Sequence, residues 1–272
     1  GQYQLSPAPG ADKMAMRFAS LGSGSKGNAT VVAAADTLLM IDCGFSLRET
    51  TRRLERLGLA PQQLDAILVT HEHSDHSAGV AALSRKYQIP VYLTHGTAST
   101  GRCDPSFELR HFNCDEDFSI GAIAVTAVAV PHDAVEPCQY RLSCGNATLG
   151  VLTDLGSITP HVIQHFRACH GLLLEFNHDM PMLMAGAYPP PLKRRVAGDW
   201  GHLNNEQSAQ LLQCVDRAQL RHLVVAHISE KNNHRDLVER ALLSALDSLD
   251  NVVFAEQGEG FSWLELPSGL GV

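Results

Sequence analysis

The sequence predicts an α/β protein with mixed β-sheets. Short apolar runs typical of strands alternate with amphipathic segments of helical period, and other strand-like runs follow one another directly, as hairpins do. The composition agrees, because 44% of the 272 residues are hydrophobic and 18% are charged, which is ordinary for a globular protein. A chain of this length buries a sizeable core.

The first part of the chain predicts a hairpin followed by strands and helices. Ser46–Leu57 is a predicted helix, because Ser46 and Glu49 form a capping box and Gly58 can end it. The other predicted elements are a strand at Arg17–Leu21, a hairpin within Thr30–Ile41 that turns near Ala35, a strand at Ala66–Thr70, a helix at Ser77–Tyr87 and a strand at Val91–Thr94.

The second part continues this alternation. Predicted strands lie at Ile123–Val130, Gln139–Leu142, Thr148–Thr153, Gly171–Phe176, Leu223–Ala226, Val252–Ala255 and Phe261–Glu265. Predicted helices lie at Thr159–Ala168, Asn205–Val215 and Asp236–Leu246. Met180–Gly201, which contains three consecutive prolines, predicts a long loop of the kind that carries function. We expect residues 1–15, rich in Gly, Pro and Ala, to be a disordered or non-native extension and residues 16–272 to be a single domain.

Net charge and cysteine content limit the classes of function that the protein can have. The net charge of −8 excludes a broadly basic nucleic-acid coat, so any nucleic acid must be held locally. Seven cysteines without a C-x-x-C pair predict reduced thiols rather than disulfides. No apolar run reaches the ~18 residues of a membrane span, and no signal-peptide pattern is present, so we expect a cytoplasmic protein without a membrane partner.

The strongest chemical signal follows the predicted strand Ala66–Thr70. His71, His73, Asp75 and His76 form an H-x-H-x-D-H cluster in one short loop. Since alternate residues of an extended turn project the same way, the first two imidazoles can hold one ion while Asp75 and His76 face a neighbouring ion. Imidazole and carboxylate donors without thiolate suit Zn, Mn or Fe.

Three more metal-ligand candidates stand at strand ends. His132, Asp154 and His227 each follow a predicted apolar strand. Taken singly, each is more simply a satisfied histidine or a turn aspartate. Together with the first cluster they predict a two-metal site on one rim of the sheets.

In this order the seven residues resemble the ligand series of the metallo-β-lactamase superfamily. The resemblance covers nearly the whole chain from Arg17. Segments similar to its YycJ/WalJ-like branch are Gly22–Asn28, Glu175–Asp179, Gly201–Asn205 and Ala226–Asn233. The implied fold is the four-layer αββα sandwich, the metallo-β-lactamase fold, in which two mixed β-sheets carry outer helices, here as one hydrolase domain.

The resemblance also implies a ligand assignment. His71, His73 and His132 hold one divalent ion, and Asp154 bridges it to a second ion. The second ion is held by Asp75, His76 and His227, and Asp42 supports the ligands from behind. We expect two divalent metal ions, Zn or Mn, with Fe as the alternative.

Members of this branch are described as bacterial metal-dependent hydrolases with exonuclease activity on single-stranded DNA. The expected function is therefore a two-metal phosphodiesterase that acts as a 5′-3′ exonuclease on single-stranded DNA or RNA through a hydroxide bridging the metals. A thioester or lactone hydrolase of the same fold is the alternative enzyme, and a metal-stabilised sensor or scaffold is the non-enzymatic alternative. Asp75 together with His76, and Asp154 rather than Cys at the bridge, favours phosphodiesters and thioesters.

Candidate catalytic and substrate contacts complete the expectation. Asp75 orients the nucleophile, and His178 donates a proton to the leaving group unless it is an ordinary loop side chain. His202 either contacts substrate or caps the following helix. The expected substrate contacts are Ser25, Lys26, Asn28, Lys193, Arg194, His202 and Asn204. Lys193, Arg194 and Arg195 form a basic run, and the alternative interpretation of this run is a solvated surface. Lys26 and Asn204 stand where the branch usually carries serine.

The pattern G-x-G-x-x-G at Gly22–Gly27 has a second interpretation, as a dinucleotide-binding loop. That fingerprint requires a helix next, but the following residues predict a strand. We therefore expect the backbone amides of this loop to hold a substrate oxyanion or phosphate instead.

Overall fold

A computed structural model describes residues 14–267. Most of the extension predicted for residues 1–15 therefore lies outside the described residues, and the backbone of Met14 and Ala15 belongs to the first strand. The described strands are β1 (Met14–Gly22), β2 (Ala29–Ala34), β3 (Thr37–Ile41), β4 (Ala66–Leu68), β5 (Pro90–Thr94), β6 (Glu108–Phe112), β7 (Asp117–Ile120), β8 (Ile123–Ala129), β9 (Cys138–Cys144), β10 (Ala147–Leu152), β11 (Gly171–Glu175), β12 (His222–Ala226), β13 (Val252–Phe254) and β14 (Phe261–Pro267).

The helices lie mainly between the strands. They are α1 (Leu47–Arg56), α2 (Ser74–Ser77), α3 (Val80–Tyr87), α4 (His95–Ser99), α5 (Pro160–His165), α6 (Met180–Ala185), α7 (Pro190–Ala197), α8 (Asn205–Cys214) and α9 (Arg235–Leu243). No helix within residues 14–267 combines the length and apolarity needed to cross a bilayer.

The strands form two mixed sheets of seven. One has the order β14-β1-β2-β3-β4-β5-β6 and the other β13-β12-β11-β10-β9-β8-β7. In each sheet the strands at one end are parallel, from β3 to β6 and from β10 to β13, while the other neighbouring strands pair antiparallel. This confirms the predicted mixed α/β architecture.

Three apolar cores hold the layers together. The central core lies between the sheets and includes Phe18 and Leu39 of one sheet and Tyr140 of the other. A second core places Leu54 of α1 and Leu83 of α3 on the outer face of the first sheet. The third places Leu211 of α8 and Val238 of α9 on the outer face of the second sheet. The layers are therefore helix, sheet, sheet and helix, as predicted.

One predicted loop is wrong. Met180–Gly201 contains α6 and α7 rather than a continuous loop. The prolines that predicted a break lie in the first turn of each helix, where a missing N–H costs nothing because that group has no intrahelical acceptor. Strands β6 and β7 were also absent from the prediction, because most of their residues are solvent-exposed and lack an apolar alternation.

The segment after β3 clamps the H-x-H-x-D-H loop. Cys43 N donates to the His76 carbonyl at 2.8 Å, and Gly79 N donates to the Cys43 carbonyl at 2.8 Å. Asn28 N donates to the Asp75 carbonyl at 2.8 Å, and Gly44 N donates to the Asn28 carbonyl at 3.0 Å. Backbone hydrogen bonds thus fix the helical turn that carries Asp75 and His76.

Gly44→Ala tests this clamp. A β-carbon on Gly44 overlaps the Asp75 carbonyl and lies 2.9 Å from the amide nitrogen of Asn28. Because all three atoms belong to backbone, we expect the overlap to lower the free energy of unfolding by about 1–3 kcal/mol. Urea unfolding of the variant measures this loss. Gly258→Ala is the matched control, since a β-carbon there has no neighbour within 4 Å. Equal stability of the two variants would contradict a rigid clamp.

Candidate metal centre

The sheet topology brings distant histidines and carboxylates to one rim. His71 follows β4, and His132, Asp154 and His227 follow β8, β10 and β12. Strand β8 runs antiparallel to β9, which runs antiparallel to β10, so β8 and β10 point the same way. Strand β12 is parallel to β11, which is parallel to β10. Their following residues therefore emerge at the same edge of the second sheet.

The first cluster consists of His71, His73 and His132. Potential ligand atoms of the three lie within 4.8 Å of one another. The ring centroid of His71 lies 4.5 Å from that of His73 and 4.8 Å from that of His132. Since His73 Nε2 lies 2.9 Å from the Asp133 carbonyl, which can only accept, this nitrogen carries the proton and the unprotonated Nδ1 has the lone pair that can bind a metal ion.

The second cluster consists of Asp75, His76 and His227. Asp75 Oδ2 lies 3.5 Å from His76 Nε2 and 3.3 Å from His227 Nε2. Asp154 lies between the clusters: Oδ2 is 3.0 Å from His76 Nε2, and Oδ1 is 3.8 Å from His132 Nε2. The structure therefore brings together all seven residues that the sequence proposes as ligands, with Asp154 at the junction.

Hydrogen bonds behind the site set the imidazole tautomers. Asp42 Oδ2 accepts from Thr70 Oγ1 at 2.7 Å and from His76 Nδ1 at 2.6 Å. Because the Thr70 hydroxyl donates to Asp42, it accepts from His71 Nδ1 at 2.9 Å. His132 Nδ1 donates to the Gly201 carbonyl at 2.8 Å. In the neutral form of each of these rings, Nε2 therefore has the lone pair that can bind a metal ion.

The donor set fits divalent metal ions. Nε2 of His71 and Nε2 of His132 are buried and have no hydrogen-bond partner among the described residues. An unpartnered buried nitrogen is costly unless something absent from the protein chain completes it. Five imidazoles and two carboxylates, without thiolate, match the preference of Zn and Mn, and the fold implies divalent metal binding.

The two clusters differ in the direction of the pKa shifts of their buried histidines. Burial opposes protonation of His76, yet the carboxylates of Asp154, Asp42 and Asp75 raise the pKa of His76 well above its usual value. Burial likewise opposes protonation of His227, and Asp154 and Asp75 raise its pKa to about 9. In the other cluster, burial lowers the pKa of His132 to about 4. Metal ions bound at the acidic cluster would therefore compete with protons, whereas burial keeps His71 and His132 neutral by lowering the pKa of each.

An open cavity of about 800 Å³ leads to the ligands. Its lining includes the predicted contacts Ser25, Lys26 and His202. Asn28 is instead buried, and its amide holds the Gly24 carbonyl at 2.8 Å. Asn204 caps α8 by accepting from Gln207 N, so the cap expected of His202 belongs to Asn204. Neither Asn28 nor Asn204 lines the cavity, and their proposed contact with substrate finds no support in these positions.

Of the basic run Lys193–Arg195, one residue lines the cavity. Arg195 lines the cavity and pairs with Asp133. Lys193 and Arg194 do not belong to the lining, and Lys193 Nζ donates to the Met184 carbonyl at 2.6 Å. Helix α7 turns the three consecutive side chains in different directions, which explains why only one faces the ligands.

The Gly22–Gly27 loop does not offer the expected anion cradle. Gly24 N donates to Asn28 Oδ1, Lys26 N donates to Gln257 Oε1, and Gly27 N donates to the Gly24 carbonyl. These amides are thus already satisfied within the protein, and the expectation of an amide cradle is wrong for them.

His178 occupies a different place from the one its predicted role requires. The side chain is fully buried and does not line the cavity, and its Nδ1 donates to Asn177 Oδ1 at 3.1 Å. Burial lowers its pKa to about 4. A direct proton transfer to a leaving group in the cavity is therefore not supported by this position.

His202 faces the cavity and forms a pair with Glu175. Its Nδ1 lies 2.8 Å from Glu175 Oε2 and 3.8 Å from Asp154 Oδ1. Glu175 Oε1 accepts from Leu155 N and Leu203 N, which locks the carboxyl group. Burial and the nearby Asp154 raise the pKa of Glu175 well above its usual value, while burial lowers the pKa of His202 to about 4. Glu175 and His202 therefore share a proton close to Asp154, a proposed metal ligand.

Several site residues were not identified from the sequence. Glu175 ends an apolar strand, and a lone acid at such a position was an available signal. Thr70 and Asp133 gave only the weaker signal of adjacency to a ligand. Arg102 and Tyr188 line the cavity but come from segments without any chemical motif.

Comparison with known proteins agrees with the predicted fold and family. The sequence profile of the β-lactamase superfamily domain matches residues 37–228. The chain is 33% identical over 239 residues to exodeoxyribonuclease YycJ of Bacillus anthracis, covering 86% of this chain and 90% of that protein. It is 31% identical over 245 residues to exodeoxyribonuclease WalJ of Streptococcus pneumoniae serotype 2, covering 88% and 91%.

A solved structure shows the same architecture. The metallo-β-lactamase fold protein YhfI from Bacillus subtilis superposes with a TM-score of 0.72 at 17% sequence identity, covering 93% of this chain and all of that one. With the matching profile and the two relatives aligned over most of their length, the chain belongs to the metallo-β-lactamase superfamily, in the branch of the YycJ- and WalJ-like proteins.

Proposed function

We propose that this protein is a two-metal phosphodiesterase that removes nucleotides from the 5′ end of single-stranded nucleic acid. The observation that carries the proposal is Asp154, a buried carboxylate placed between two groups of ligand atoms at the floor of an open cavity. The names of the two relatives, both exodeoxyribonucleases, support nucleic acid as the substrate class.

The residues present account for most of what the reaction needs. When bound, two divalent ions supply Lewis acidity and lower the pKa of water toward ~7, so that no strong protein base is required. Asp154, whose carboxylate oxygens lie near His76 and His132, would be the residue that holds both ions and would reduce their mutual repulsion. Asp75 lines the cavity beside the second cluster and accepts a hydrogen bond from the attacking water, which orients it.

The His202–Glu175 pair is placed to protonate the leaving group. An alkoxide is a poor leaving group, so a proton must reach its oxygen as the P–O bond breaks. His202 donates from Nε2 while Nδ1 takes the proton held by Glu175 Oε2, so the ring stays neutral and Glu175 ends as the carboxylate. Product release and reprotonation from water restore the pair.

A substrate panel tests the proposed activity. Purified protein loaded with Mn or with Zn is incubated with end-labelled single-stranded DNA, single-stranded RNA, lactones and thioesters. We expect release of 5′ mononucleotides from at least one single strand. Robust turnover of a lactone or thioester with intact nucleic acid would overturn the proposal.

Asp154→Asn tests the bridge. The substitution keeps the side-chain volume but removes the charge that lies between the clusters, so we expect fewer than two equivalents of bound metal and loss of activity. Metal analysis of the purified protein measures the first effect directly. Asp117→Asn, at an exposed carboxylate that accepts from Thr126, is the control and should keep full metal content. Two tightly held ions and normal turnover in Asp154→Asn would refute the bridge.

His202→Ala and His178→Ala separate the two candidate proton donors. We expect His202→Ala to lower kcat on a natural phosphodiester by about 10²–10⁴-fold while metal content stays unchanged. The loss should shrink on a nitrophenyl ester, whose leaving group departs without protonation. His178→Ala should produce no such dependence on the leaving group, since the ring lies outside the cavity. A leaving-group-dependent loss in His178→Ala alone would return the role to His178.

A further inference from the structure

The cavity contains an aromatic ring that the proposed reaction does not use. Tyr188 lines the cavity between α6 and α7, and Lys231, on the loop after β12, places its Nζ 6.0 Å from the ring centroid. The Tyr188 hydroxyl forms no hydrogen bond with another described residue. The Tyr188 side chain is half-buried, and an aromatic ring in a cavity can stack with a planar ligand.

We propose that Tyr188 and Lys231 form the nucleotide-binding subsite of this cavity, with a nucleobase stacked on Tyr188 and the adjacent phosphate bound by Lys231. The inference rests on the proposed function and goes beyond it by assigning the residues that recognise the strand. Stacking on an aromatic ring next to a cation is how single strands are bound without dependence on sequence.

The local structure holds in place the helix that precedes Tyr188. Asp179 caps α6 by accepting from Met182 N, Leu183 is buried, and Asp179 N donates to the Asn232 carbonyl at 2.9 Å. These contacts fix α6 against the loop that carries Lys231. Because Tyr188 precedes Pro189, its backbone is restricted to extended conformations, which limits the backbone entropy that binding can cost.

Charge pairing in the cavity explains why Lys231 is the phosphate ligand. Lys26 pairs with Glu230 at 3.3 Å, and Arg195 pairs with Asp133. Among the described residues, Lys231 and Arg102 are the cavity cations that have no carboxylate within 4.0 Å. Of these two, Lys231 is the one whose Nζ lies near the aromatic ring, which places it to bind a phosphate next to a stacked base.

The position relative to the ligands fits a strand that reaches the metals. Lys231 lies four residues after His227, and the cavity that both residues line is continuous with Asp75 and Asp154. Its volume of about 800 Å³ is near the upper end for small-ligand sites and leaves room for more than the scissile group. The segment that contains α6 and α7 ends near Trp200, whose side chain is 64% exposed. Trp200 adds a second solvent-facing aromatic ring next to Gly201, which lines the cavity.

Kinetics of the metal-loaded enzyme on two single strands test the subsite. One substrate is an oligodeoxythymidylate, and the other has the same length and phosphates but abasic sites at all positions except the 5′ terminus. We expect Tyr188→Ala to raise KM for the oligodeoxythymidylate by about 5- to 150-fold, with kcat within twofold of wild type. Tyr188→Phe should restore KM, since the ring rather than the hydroxyl binds. On the abasic strand Tyr188→Ala should have no further effect.

Salt dependence tests Lys231 separately. Lys231→Gln should raise KM for both strands and reduce the slope of log KM against log salt by about 0.7, the value for one phosphate contact on a single strand. Lys86→Gln is the matched control, because Lys86 lies 5.4 Å from the Tyr87 ring but does not line the cavity. It should leave both quantities unchanged.

Each contrary result has a distinct meaning. An unchanged KM in Tyr188→Ala, or an equal rise on both strands, would overturn base stacking while leaving the nuclease activity intact. An unchanged salt slope in Lys231→Gln would overturn the phosphate contact. If the wild-type enzyme degrades neither of these strands nor single-stranded RNA, the proposed function itself fails, whatever the variants do.

Discussion

The metal centre depends on the buried carboxylate of Asp42. This side chain is almost completely buried, and its two oxygens accept from Thr70 N, Thr70 Oγ1 and His76 Nδ1. A buried carboxylate is tolerable only when it is fully hydrogen-bonded, so the loop after β4 has little freedom to adopt another arrangement. Through Thr70, the same carboxylate also sets the tautomer of His71. One residue of the first sheet therefore orients a ligand in each cluster.

Two of the five non-glycine residues with positive φ in the described part of the chain lie at this site. Asp42 and His227 have φ values of 60° and 50°, a left-handed conformation that costs energy in a residue other than glycine. Hydrogen bonds hold the strained His227: its N–H donates to Ser23 Oγ at 2.8 Å, and its carbonyl accepts from Asn177 Nδ2 at 3.1 Å. The first sheet supplies Ser23 and the second supplies Asn177. Packing of the two sheets thus maintains a conformation that neither strand end would keep alone.

The acidic net charge of −8 is compatible with an anionic substrate because the relevant charges are local. Two of the five carboxylates that line the cavity, Asp75 and Asp154, are proposed metal ligands, and bound divalent ions would offset their charge. Cations at the rim are either paired with carboxylates or, as with Lys231, free to meet a phosphate. The positions of individual charged side chains, rather than the overall charge of the protein, therefore decide which anion is attracted.

The sequence by itself determined the features that depend on local spacing. The H-x-H-x-D-H loop brings four donors together within six residues, and the apolar runs before His132, Asp154 and His227 predict strands whose ends share a rim. The alternation of strands and helices was likewise sufficient for the α/β class, which the structure confirms. Such patterns predict structure because backbone geometry fixes the period at which side chains of helices and strands face the same side.

Only the tertiary structure decided which side chains meet across the chain. Glu175 and His202 are 27 residues apart and pair because β11 and the segment before α8 pack side by side. Asn204 and Asn28 carry the chemistry of substrate contacts but are used as a helix cap and a loop clamp. Tyr188 faces the cavity because α6 and α7 replace the expected loop. Contacts of this kind depend on how the layers pack, and local periodicity contains no information about the distance between separate elements.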